Sequence, residues 1–142
     1  MKHITLIWPN MGRLQMGNEK QHFSDNASME PLPLAAIAAL IPDNFEIVLY
    51  DDRFEDIPYE NKTDLVCISV EIFTARRAYE IADAYRKRNV KILLGGIHPS
   101  LMPDEAISHA DSIIIGDAEM VWNQVMADLM NFSSAVFKWI PC

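Results

Sequence analysis

Val90-Lys91-Ile92-Leu93-Leu94-Gly95-Gly96-Ile97-His98-Pro99-Ser100-Leu101-Met102-Pro103 runs from an apolar strand into two glycines, a histidine and two prolines within a few residues. The near-continuous apolar character of Val90–Leu94 marks a strand covered on both faces, as in a parallel sheet flanked by helices. Two glycines in succession at the end of such a strand mean either tight turn geometry or close approach of something bulky to the main chain. Pro103 followed by Asp104 and Glu105 reads as a helix start, because proline suits the first helical position and carboxylates complement the N-terminal dipole.

The same alternation extends in both directions. Ile4–Trp8 and Phe45–Tyr50 read as the first two strands, Leu65–Val70 as the third and Ser112–Ile115 as the fifth. Between them Leu34–Leu40 is an alanine-rich helix, entered through Pro31 and Pro33 and closed before Pro42. Ala78, Ile81, Ala82 and Tyr85 fall at i, i+3, i+4 and i+7, which predicts an amphipathic helix from about Ala75 to Arg88. Val121, Val125 and Leu129 give the last helix one apolar face. Five β–α units of this kind predict an α/β doubly wound parallel sheet of five strands, flavodoxin-like (Rossmann-like), in the order 2-1-3-4-5.

Composition bounds the partners. The 142 residues make one domain, expected over residues 1–130 with a C-terminal tail at 131–142, and half of them are apolar. Twelve Lys and Arg against 20 Asp and Glu give a net charge of −8, which repels a phosphate backbone, so nucleic acid is not an expected partner. No stretch approaches the roughly 20 apolar residues of a membrane span, and Pro9 and Asn10 interrupt the opening apolar run before the length of a signal-peptide core. The expectation is a cytoplasmic protein without a membrane partner. Cys67 sits in an apolar strand as a small hydrophobe and Cys142 is the last residue, so neither a disulfide framework nor a protein zinc site is expected.

In open α/β sheets the ligand lies beyond the carboxyl ends of the strands, where strand order reverses. Those ends are Pro9-Asn10-Met11-Gly12, Ser69-Val70-Glu71, Gly95-Gly96-Ile97-His98 and Gly116-Asp117-Ala118-Glu119. The connection from Pro9 to Glu30 is long for a βα loop. A dinucleotide site needs G-x-G-x-x-G after the first strand, and Gly12 and Gly17 lack that spacing, so Asp51 and Asp52 read as solvated caps rather than ribose ligands. The acidic residues and lysine of a phosphorylated receiver domain are missing, since this chain has Asn10, Ser69 with Glu71, and Asp117 at those places. A flavodoxin's hydroxyl-rich phosphate loop is missing as well.

Taken together, Ser69-Val70-Glu71, Gly95-Gly96-Ile97-His98-Pro99-Ser100, Pro103-Asp104-Glu105-Ala106 and Gly116-Asp117-Ala118-Glu119 resemble the N-terminal cobalamin-binding domain of cobalamin-dependent radical S-adenosylmethionine (SAM) enzymes. The resemblance runs from about Lys2 to Leu129 and includes Glu30-Pro31-Leu32 and the segment Ala78–Arg86. It implies cobalamin as cofactor, with the nucleotide tail in the sheet's crevice and Ser69, Gly95 and Gly96 lining its path. Asn10, Met11, Gly12, Val70, Glu71, His98, Gly116, Asp117 and Glu119 complete the implied rim. A serine hydroxyl can donate to or accept from a ring nitrogen, ribose or phosphate.

Two departures qualify what is implied. Methyltransferase-type cobalamin domains carry Asp-x-His-x-x-Gly after the first strand, whose histidine ligates cobalt, whereas this region reads Pro9-Asn10-Met11-Gly12. The cofactor is therefore expected base-off without a histidine from this chain. His22 reads as a solvent-exposed loop residue, and His98 as a residue that orders its loop or touches the corrin edge. The radical enzymes also continue into a barrel whose Cys-x-x-x-Cys-x-x-Cys motif holds an iron–sulfur cluster. That motif is absent from these 142 residues. No iron–sulfur cluster and no catalytic residue are expected in this chain, and the chemistry belongs to a partner radical SAM domain or protein, of methyltransferase type. The rival readings are a cofactor-free α/β interaction module that has kept the fold, and a small enzyme using Glu71, Asp117 or His98 as acid or base.

Overall fold

A computed structural model describes residues 1–11 and 30–131. Gly12, Gly17, His22 and residues 132–142 of the expected tail lie outside the described residues. Five parallel strands, β1 (Lys2–Trp8), β2 (Phe45–Asp51), β3 (Leu65–Ser69), β4 (Lys91–Gly95) and β5 (Ser112–Ile113), form one sheet in the order β2-β1-β3-β4-β5. The predicted topology is the observed one. Right-handed crossovers that run outward from β1 in one direction and from β3 in the other place their helices on opposite faces.

On one face, α2 (Ala75–Arg86) and α4 (Pro103–Ile107) cover Ile7, Val66, Ile68, Ile92 and Leu94. The predicted stripe of α2 is the buried one: Ala78, Ile81, Ala82 and Tyr85 are all at most 1% exposed. The helix stops at Arg86, two residues earlier than its periodicity indicates, because Asn89 turns the chain at φ 61. On the other face, α1 (Leu32–Ala38) and α5 (Ala118–Met130) cover Leu6, Cys67, Leu93 and Ile114. Helix α1 begins two residues before the predicted Leu34, with Pro33 in its first turn, where a missing N–H costs nothing. In α5 the buried stripe is Trp122, Val125, Met126 and Leu129, and Val121 sits at its edge. Lys2 Nζ donates to the Leu129 carbonyl at 2.8 Å and satisfies one of the unpaired carbonyls at the end of α5.

Two local expectations are corrected. A one-turn helix, α3 (Ile97–Leu101), occupies what reads as loop between the glycines and Pro103. Asp52 is not a solvated cap but is 5% exposed. Its carboxylate takes two bonds from the Arg77 guanidinium, Nε at 2.8 Å and Nη2 at 2.9 Å, and accepts the Asn10 N–H at 3.0 Å. The hydrogen bonds with Asp52 raise the Arg77 pKa further above its usual value. Asp51 instead holds the neighbouring Arg53. Periodicity does not report such a pair, because Arg77 lies 25 residues further along, on α2. Among the described residues no helix is long and apolar enough to cross a membrane.

Candidate functional site

Between α1 and α5, across the carboxyl ends of β3, β4 and β5, lies a cavity of about 650 Å³. Its buried surface is apolar: Cys67, Leu93 and Ile114 from the sheet, Leu34 and Ile37 from α1, Trp122 from α5. Polar groups gather toward the loops, with Ser69 and Glu71 after β3, Ser100 from α3, and Asp117 and Glu119 at the start of α5. A volume of this size with an apolar lining and few polar groups is typical of a small-molecule or cofactor site. Burial pushes the Cys67 thiol pKa well up, so the side chain stays protonated and serves as apolar wall.

The twin glycines have separate roles. Gly96 adopts φ 106 and ψ −171, a region essentially restricted to glycine. A Cβ placed there would lie 2.7 Å from the Val70 carbonyl oxygen and 2.9 Å from the Val70 nitrogen. The bare backbone at Gly96 is therefore required by the turn and by the main chain that follows the neighbouring β3, the first of the two meanings allowed by the sequence. Val70 N–H donates to the Gly95 carbonyl at 2.8 Å and His98 N–H to the Val70 carbonyl at 3.1 Å, locking the two strand ends together. Gly95 is different. It lines the cavity, and a Cβ there would meet only Ile114 Cβ, at an ordinary 3.9 Å. Neither φ nor a protein contact requires glycine at 95. Ser100 joins this turn to the next: its Oγ donates to the Gly96 carbonyl at 2.9 Å and accepts the Gly116 N–H at 3.0 Å.

Of the residues expected at the rim, Ser69, Glu71, Gly95, Gly96, Gly116, Asp117 and Glu119 are brought together around the cavity. Val70 is fully buried on the opposite face. His98 does not line the cavity. Its Nε2 lies 2.8 Å from Glu105 Oε1, which also accepts the Tyr79 hydroxyl at 2.8 Å, so the imidazole belongs to the packing of α3 on α2 and α4. Hydrogen bonds from His98 and Tyr79 hold the Glu105 carboxyl below its usual pKa. Asn10 is drawn away by Asp52, and Met11 is exposed outside the lining. Gly12 lies outside the described residues. Sequence reasoning missed Ser100, Trp122 and the α1 wall. The pattern of buried residues in α5 carries a signal for Trp122, whereas Ser100 is recruited by a bond to a residue 16 positions away.

Comparison with known proteins agrees with this fold. The B12 binding domain family matches residues 25–125. The chain belongs to the B12-binding domain family. It is 40% identical over 111 residues to bacteriochlorophyllide d C-8(2)-methyltransferase of Chlorobaculum tepidum, covering 75% of this chain and 25% of that protein. It is 35% identical over 101 residues to bacteriochlorophyllide d C-12(1)-methyltransferase of the same organism, covering 70% and 22%. This B12-binding domain thus spans about a quarter of the length of the curated relatives it matches. No solved structure matches it.

The residues present fit a cobalamin nucleotide tail. The deep apolar surface suits a heterocyclic base, and the space a Cβ would take at Gly95 is left clear. Ser69, a residue 7% exposed that lines the cavity, has no hydrogen bond to another described residue, so its hydroxyl remains able to pair with a ligand.

Proposed function

We propose that this domain holds cobalamin base-off, with its nucleotide tail in the cavity between α1 and α5, and presents it to a radical SAM methyltransferase-type catalytic unit outside the chain. The observation that carries the reading is the apolar cavity at the carboxyl ends of β3, β4 and β5, where Gly95 leaves its side-chain space open and Ser69 offers an unpartnered hydroxyl. The similarity to two methyltransferases supports methyl transfer as the parent activity. When bound, cobalamin supplies a cobalt centre that carries the methyl group.

The chain's own residues bind and orient. Trp122, Leu34 and Ile37 exclude water from the base, Ser69 pairs with a polar atom of the tail, and the Ser100 bridge keeps the β4 and β5 loops in register around it. Asn10 lies in the segment after β1 where a ligating histidine would be expected, and His98 is engaged by Glu105 outside the cavity, so no histidine among the described residues would be placed to hold the cobalt.

The test is addition of hydroxocobalamin to the purified chain. At about 100 times the dissociation constant, binding adds roughly 2.7 kcal/mol of stability, a melting shift on the order of 10 °C for a domain this size. The coloured cofactor should co-elute, and electron paramagnetic resonance of the cobalt(II) form should lack an axial nitrogen splitting. A nitrogen splitting lost in His22→Ala would overturn the unligated face. Neither shift nor co-elution would leave the domain as a cofactor-free interaction module.

A further inference from the structure

Three carboxylates stand at the mouth of the cavity: Glu71 after β3, and Asp117 and Glu119 at the start of α5, on either side of the β4 turn. None of them forms an ion pair with a described residue, and no lysine or arginine is among the described residues that line the cavity. Gathering like charges at a site without counter-ions disfavours any ligand that brings a negative charge to the same place. Such a mouth penalises each carboxylate that a ligand adds to the single phosphodiester charge common to every cobalamin tail. It is complementary to neutral N–H donors, which an ionised carboxylate accepts strongly.

The corrin edge of cobalamin is rich in primary carboxamides, which are neutral donors, whereas incompletely amidated corrinoids carry carboxylates at the same positions. The wall below the mouth independently points to a ligand, because Ser69 is 7% exposed, lines the cavity and has no hydrogen bond to another described residue. We infer that Glu71, Asp117 and Glu119 read the amidation state of the corrinoid, accepting hydrogen bonds from its carboxamides and rejecting corrinoids that bear carboxylates there. This rests on the cobalamin reading above and adds a specificity to it: the domain takes a finished, fully amidated cofactor and discriminates against its acid precursors and hydrolysis products.

The experiment compares two probes that share the same nucleotide tail, hydroxocobalamin and a cobalamin monocarboxylic acid with one peripheral amide hydrolysed, by calorimetric titration of the whole chain. Like charges a few ångströms apart in partly screened surroundings predict about tenfold weaker binding of the acid. The gap should narrow in Glu71→Gln, Asp117→Asn and Glu119→Gln, close in the triple variant, and shrink at high salt. Asp117 makes no side-chain cap bond to α5, so the asparagine variant leaves the helix start intact. Equal affinity of the wild-type chain for both probes would overturn the inference while leaving cobalamin binding standing. A gap that persists in all variants would overturn it too, by assigning the discrimination elsewhere. Failure of hydroxocobalamin itself to bind would remove both proposals.

Discussion

Replacing Gly96 with alanine should destabilise the domain even without any ligand, and replacing Gly95 with alanine should not. At 96 the new Cβ would stand 2.7 Å from the Val70 carbonyl oxygen, and the residue would be held at φ 106 with ψ −171. A non-glycine residue in that region costs about 1–3 kcal/mol, and relieving the contact would also pull on the Val70–Gly95 and His98–Val70 backbone bonds. The expected loss is about 3 kcal/mol, or roughly 10 °C in Tm. At 95 the Cβ meets Ile114 at 3.9 Å and φ is ordinary, so apo stability should stay within about 0.5 kcal/mol of wild type. Urea unfolding of the two apo variants reads this directly, and titration with hydroxocobalamin reads the other half, because the Gly95→Ala methyl protrudes toward the cavity and should weaken binding. An apo Gly96→Ala variant as stable as wild type would refute the steric argument. A Gly95→Ala variant that binds undiminished would refute the assignment of its bare backbone to the ligand.

Removing Arg77 as Arg77→Met leaves the Asp52 carboxylate buried without its counter-ion, and should cost about 3 kcal/mol in denaturant unfolding, the lower end for buried pairs because Arg77 is about a quarter exposed. Glu105 should titrate below the ordinary carboxyl range, followed by nuclear magnetic resonance, and move back toward it in His98→Ala. Since its folded-state pKa is lowered, the stabilisation it contributes is present above the unfolded pKa of 4.5 and is lost as pH falls through the folded value.

The fold was legible because its signals are short-range. Continuous apolar runs of four to six residues and one i, i+3, i+4, i+7 stripe report which segments are buried on both faces and which on one. The handedness of the crossovers then leaves few orders for the strands. Strand ends follow from strand identity, so Ser69, Glu71, Gly95, Gly96, Gly116, Asp117 and Glu119 could be placed near the crevice and do line the cavity, whereas Asn10, Met11, Val70 and His98, expected beside them, do not. What the sequence could not assign is which atom each rim residue turns toward. His98 and Ser100 are two positions apart on one short helix, and only the positions of Glu105 on α4 and of the Gly116 N–H decide that one faces away from the cavity while the other bridges two of its loops. The two adjacent glycines are equivalent as letters. Their roles separate only when Val70 of the neighbouring segment is found 2.7 Å from one missing Cβ and open cavity beside the other, because steric exclusion acts between chain segments brought together by the fold rather than between neighbours in the sequence.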